Sequence, residues 1–99
     1  MTGTTISTAE LDPRRRKALF RAWHRGMREM DLLMGQFADA KIAAMSDADL
    51  DDFEKLLEGV ADRDLLAWFV GEKPIDPAYD CKVWRDLVAF HRHDGPIHV

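Results

Sequence analysis

The segment Arg25-Gly26-Met27-Arg28-Glu29-Met30-Asp31 sets four charges around a single glycine. Its chemistry is that of recognition. Arg25 carries a planar fork of donors suited to a carboxylate or a carbonyl. Gly26 has no side chain, so a second backbone can come close. If a helix begins near Met27, Glu29 falls in its first turn, where the helix dipole stabilises a carboxylate. Arg25, Gly26 and Glu29, flanked by Met27 and His24, then form a compact polar docking spot. The residues also admit a plainer account, in which a glycine ends one helix between surface ion pairs worth little each.

The rest of the chain is poor in reactive groups. Ser46 sits where a helix would be capped, Ser7 lies in a threonine-rich stretch, and neither has an obvious base nearby. No glycine-rich loop follows a strand, so a phosphate cradle is not expected. His91, His93 and His98 are spaced two and five apart before and within a glycine-proline tail. Helical metal ligands are not spaced this way, and the expectation is a solvated tail with no metal. Cys81 is the only cysteine, which leaves no internal disulfide and fits a reducing compartment.

Arg14-Arg15-Arg16-Lys17 is the most basic run. With a net charge of −4 over the whole chain it reads as a solvated helix face, available for a partner contact, rather than a nucleic-acid surface. The acidic run Asp47 to Asp52 suits the start of a helix.

The elements that must position the docking spot are helical. Asp12-Pro13 is a helix start, with Asp accepting free N–H groups and proline in the first turn. Leu19, Ala22 and Trp23 continue at helical spacing to about His24. Met27, Met30, Leu33, Met34, Phe37 and Ala38 then recur in steps dominated by three and four, predicting a long second helix from Met27 to Ala44. Ser46 and Asp49 resemble a capping box ahead of Leu50, Phe53, Leu56 and Leu57, and Gly59 stops that helix. Asp62 is expected to cap a fourth helix that ends at Gly71. Asp76-Pro77 repeats the opening signal for a fifth, whose buried stripe is Val83, Trp84, Leu87, Val88 and His91. Trp23, Trp68 and Trp84 are assigned mainly to the core. No segment alternates like a strand.

Ninety-nine residues allow one domain. The expected architecture is an all-α, compact single-domain five-helix bundle over residues 12–92, with a disordered segment at 1–11 and a flexible tail at 93–99. No apolar run approaches the roughly 20 residues of a spanning helix. Met1 to Leu11 has neither the basic start and apolar stretch of an export signal nor the arginines of a mitochondrial presequence.

Three blocks carry a resemblance to a known family. Arg25 to Phe37 contains the pattern RGxxE within Arg-Gly-Met-Arg-Glu-Met-Asp-Leu-Leu-Met-Gly-Gln-Phe. It is similar to the core segment of the succinate dehydrogenase assembly factors that promote flavin attachment. Phe53 to Glu58 resembles that family's third helix, and Asp62 to Trp68 its D-x-D-L-x-x-W run. The likeness covers about Pro13 to His91. One departure is His24, where the family often has a second arginine; a histidine there is only partly charged near neutral pH.

The resemblance implies a five-helix chaperone, not an enzyme, with no cofactor of its own. Its partner would be the flavoprotein subunit of succinate dehydrogenase and, in some bacteria, that of fumarate reductase. There it would promote covalent attachment of FAD to a histidine of that subunit, in the bacterial cytoplasm or the mitochondrial matrix. Arg25, Gly26 and Glu29 would be the docking centre. Three other readings compete. One is a general helical adaptor for another protein. Another is a nucleic-acid-binding domain using Arg14 to Lys17. The third is an enzyme with Glu29 as general base.

Overall fold

The computed structural model describes residues 10–93. Among them it contains five α-helices, two short 3₁₀ turns and no strand. Helix α1 is Pro13–Trp23, α2 is Arg28–Lys41, α3 is Asp47–Gly59, α4 is Asp62–Val70 and α5 is Lys82–His93. None of these helices is long and apolar enough to cross a membrane. The segments 1–9 and 94–99, which hold most of the two predicted loose ends, lie outside the described residues. Leu11, placed by the sequence in the loose N-terminal segment, is buried with the core.

Local chemistry sets several boundaries. The Asp12 carboxylate accepts from the Arg15 N–H, and Pro13 opens α1. Ser46 Oγ accepts from the Asp49 N–H at 3.1 Å and starts α3. Gly71, at φ +81°, ends α4 and donates its N–H to the last carbonyls of the helix.

Other starts differ from the sequence expectation. Met27 is the cap residue of α2, not its first residue, and the helix tightens into a 3₁₀ turn at Ile42–Ala44. Ala61 occupies the cap position of α4; Asp62 is the first helical residue and its carboxylate turns elsewhere. Asp76 caps only a 3₁₀ turn, Pro77–Tyr79, and α5 begins three residues later.

Helix α2 is the spine. Met30, Leu33, Met34 and Phe37 are buried on it, facing Leu50, Phe53 and Leu56 of α3, Leu65 of α4 and Leu87 of α5. Phe37 meets the edges of Phe53 and Phe90, each at 5.8 Å between centroids, an arrangement that aromatic quadrupoles favour. Helix α1 lies close to α2 because Gly35 leaves room for the Trp23 indole; a Cβ at Gly35 would sit 2.3 Å from that ring. Trp84 is buried, and Trp23 and Trp68 are half-buried.

Two predicted solvated features are structural. His91 is buried, with Nε2 donating to the Leu33 carbonyl at 2.7 Å, so it belongs to the core stripe and not to a tail. The side chain of His93 and all of His98 lie outside the described residues. In the basic run, Arg14 spans Glu54 and Asp51 of α3. Arg15 donates to the carbonyls of Ile42 and Met45 and pairs with Asp12. Only Arg16 and Lys17 remain exposed without an ion pair among the described residues. The hydrogen bonds from Arg14 hold the Glu54 carboxyl below its usual range. Arg15 does the same for Asp12.

Candidate functional site

The corner between α1 and α2 is three residues of chain, Arg25 to Met27, held from both sides. Helix α1 ends at His24, whose N–H returns to the Arg21 carbonyl. Gly26 then takes φ +91°, a left-handed conformation that L side chains adopt at a cost of about 1–2 kcal/mol. A Cβ built there meets nothing within 4 Å, so the corner faces open space. Glycine is therefore required by the backbone, while the surroundings leave it accessible. A partner's main chain can approach it without displacing any side chain.

Arg25 does not point outward. Its Nε donates to Asp62 Oδ1 at 2.7 Å, Nη2 to the Val60 carbonyl at 3.3 Å, and Nη1 to the Leu57 carbonyl. The side chains of Arg25 and Asp62 are only 10 % and 17 % exposed. The guanidinium thus ties the corner to the α3–α4 junction and satisfies two carbonyls at the end of α3 that helical bonding leaves open. On the other side, Asp31 reaches back from the first turns of α2 and accepts the Arg25 backbone N–H at 2.5 Å. The fork that the sequence offered to a partner is occupied within the chain, and its contribution to the site is to fix where Gly26 and Glu29 stand.

The remaining predicted residues divide cleanly. Glu29 is exposed and has no ion pair among the described residues. Lying in the first turn of α2, it is favoured there by the helix dipole. Arg28, beside it, is likewise exposed and unpaired. Met27 is half-buried and packs on the core, leaving only part of its side chain at the surface. His24 is exposed, stacks on Phe20 at 3.9 Å, and donates Nδ1–H to the Phe20 carbonyl at 2.7 Å.

The structure thus brings His24, Gly26 and Glu29 to one accessible corner and assigns Arg25 to its foundation. Sequence reasoning missed Asp62 as the arginine's partner and Asp31 as the latch. A carboxylate at position 62 had a local explanation as a cap. Its true partner lies 37 residues away, beyond any helical period.

No group of three or more His, Cys, Asp or Glu among the described residues is placed to hold a metal ion. A groove of about 520 Å³ lies at the opposite end of α2, lined by Phe37, Lys41, Met45, Lys82, Asp86 and Phe90 among others.

Fold and corner together define a small all-helical protein that presents a braced, side-chain-free loop beside an unpaired carboxylate. Comparison with known proteins gives that class a family. The family model described as "flavinator of succinate dehydrogenase" matches residues 16–91, and the chain belongs to that family. It is similar to a protein named FAD assembly factor SdhE from Acetobacter pasteurianus, with 39 % identity over 70 residues, 71 % of this chain and 63 % of that one. It is also similar to the mitochondrial succinate dehydrogenase assembly factor 2 of Dictyostelium discoideum. There the identity is 30 % over 89 residues, 90 % of this chain and 62 % of that one. A third relative, assembly factor 2-B of Drosophila persimilis, is 33 % identical over 78 residues, 78 % of this chain and 50 % of that one. The chain therefore spans between half and two thirds of the length of these relatives. No solved structure matches it significantly.

Proposed function

We propose that this protein binds the flavoprotein subunit of succinate dehydrogenase and promotes covalent attachment of FAD to it. The observation that carries the reading is the family match across residues 16–91, the span that includes the braced Gly26–Glu29 corner and Asp62 beneath it. Fumarate reductase, whose flavoprotein needs the same chemistry, is a second client in the bacterial setting. The site of action is the bacterial cytoplasm or the mitochondrial matrix, where relatives with bacterial and mitochondrial names reside.

In this reading the protein is a chaperone and holds no flavin of its own. The covalent bond forms between the flavin and a histidine of the flavoprotein. The factor contributes geometry: it docks through Gly26 and Glu29 and holds the flavoprotein in the arrangement where histidine and flavin meet. Positioning of this kind can lower a barrier by several kcal/mol. Gly26 admits the partner's backbone, and Glu29 accepts charge-assisted hydrogen bonds from it. His24 and the exposed edge of Met27 border the contact. Arg25 is a positioning residue that acts through the corner it holds.

Co-purification tests the docking. Tagged wild-type protein should retain the flavoprotein subunit from a lysate of its own cells, and Glu29→Ala should retain little. Gly26→Asn separates access from backbone strain, because asparagine tolerates a left-handed φ while still adding a side chain. It should fold and fail to bind. Recovery of a different flavoenzyme, with the succinate dehydrogenase subunit absent, would favour the general-adaptor reading instead.

A further inference from the structure

Helix α1 turns a continuous outward stripe to solvent. Pro13, Arg16, Lys17, Phe20 and His24 are all exposed, in the steps of one, three and four that place residues on one helix face. Phe20 is 59 % exposed, one of two large apolar side chains left open in this way. Its ring does not hang free. His24 stacks on it at 3.9 Å with the planes 17° apart, and the Nδ1–H bond to the Phe20 carbonyl fixes the imidazole in that pose. An aromatic anchor held in its bound orientation loses little entropy on docking.

The charges around this anchor are uneven. Arg14, Arg15, Arg21, Arg25, Lys73, Lys82 and Arg85 are all in ion pairs within the chain. Arg16 and Lys17, one turn before Phe20, have none among the described residues, and neither has Arg28 across the corner. Lys55 and Arg63 are also unpaired, but no exposed aromatic ring adjoins either on its own helix face. In a chain of net charge −4, unneutralised positive charge and an exposed ring coincide on the outer face of α1. That face runs directly into His24 and the Gly26 corner.

We infer that the outward face of α1, with Phe20 stacked on His24 and flanked by Arg16 and Lys17, is a second contact on the flavoprotein and receives an acidic segment bearing an apolar side chain. The inference rests on the reading of the Gly26 corner as the docking centre and extends it by one helix. The apolar side chain packs on the Phe20 ring, which is where most of the binding energy of such a contact resides. The carboxylates meet Arg16 and Lys17, which speeds association and makes it salt-dependent.

The test is calorimetric titration of the purified flavoprotein subunit, before flavin attachment, with the full chain and its variants. Phe20→Ser should raise Kd about tenfold or more. The double variant Arg16→Glu, Lys17→Glu should raise it by a similar factor at low salt and flatten its rise with added salt. Both should melt as the wild type does, because these side chains hold nothing else. Wild-type Kd for both, with Glu29→Ala weakened, would overturn this contact and leave the corner reading standing. No binding by wild-type protein would overturn both. An effect of Phe20→Ser with none from charge reversal would overturn the acidic partner. Concentration-dependent dimers lost in Phe20→Ser, with unchanged Kd for the flavoprotein, would assign the face to a second copy and overturn the proposal.

Discussion

Replacing Arg25 by alanine separates the two possible lives of this side chain. In the structure its guanidinium makes one charge-assisted bond to Asp62 and two bonds to the Leu57 and Val60 carbonyls, at 10 % side-chain exposure. Breaking a fully buried ion pair from one side costs about 3–5 kcal/mol. Here Asp62 retains 17 % exposure and can regain some water. The expected loss is therefore lower, about 2–4 kcal/mol. For a domain of this size, each kcal/mol moves the melting temperature by about 4–8 °C, so a central loss of about 3 kcal/mol lowers it by about 12–24 °C. Arg25→Lys should fall between, since it keeps the charge and loses the fork. Glu29→Ala should stay within about 0.5 kcal/mol of wild type, as exposed unpaired positions do. The assay is urea and thermal unfolding followed by circular dichroism, with Asp62→Ala and the double variant completing a cycle. A coupling of about 1–3 kcal/mol between Arg25 and Asp62 is expected. Arg25→Ala melting with the wild type would refute the clamp and return the guanidinium to the partner.

Further outcomes follow from the same geometry. Gly35→Ala would drive a Cβ into the Trp23 indole, and the clash should outweigh the gain in helix propensity, destabilising by about 1–3 kcal/mol in urea unfolding. Phe37→Ala, at the junction of three helices, should cost about 3–5 kcal/mol and leave little folded protein at 37 °C by circular dichroism. Glu54 has a folded pKa below its ordinary 4.5 because Arg14 hydrogen-bonds the ionised form. The contribution of Glu54 is thus complete above about 4.5 and lost as pH falls through the depressed value. Acid unfolding of Glu54→Gln should accordingly show a shallower decline below pH 4.5 than that of the wild type.

Where a boundary is written by neighbouring residues, the sequence was enough. Asp12-Pro13, Ser46 with Asp49, and Gly71 each satisfy local backbone groups, and each does so in the structure as its pattern implies. The apolar stripe of α2 likewise predicted the spine, because burial of one face imposes its period on the chain. Local rules failed where a side chain had a better partner far away. Asp62 has the chemistry of a cap but serves Arg25, and Ala61 takes the cap position without a side-chain bond. Arg14 and Arg15 look like a solvated run, yet they close distances of 27–40 residues to α3 and the end of α2. His91 fits the helical period and a tail equally well on paper; only the Leu33 carbonyl beside it decides for the core. The candidate site was legible as a segment, since a glycine among charges is unusual. Which of its members face outward was not, because that depends on the α3–α4 junction packing beneath it.

The central claim is that this chain promotes flavin attachment through the Gly26–Glu29 corner. Its most direct test is the covalent flavin content of the succinate dehydrogenase flavoprotein subunit. The subunit would be expressed in cells lacking their own factor, with this protein, with Glu29→Ala, or alone, and read as flavin fluorescence in a denaturing gel. Strong fluorescence with the wild-type chain, and weak fluorescence with Glu29→Ala present at equal abundance and alone, is the predicted result. Equal fluorescence in all three lanes would contradict it.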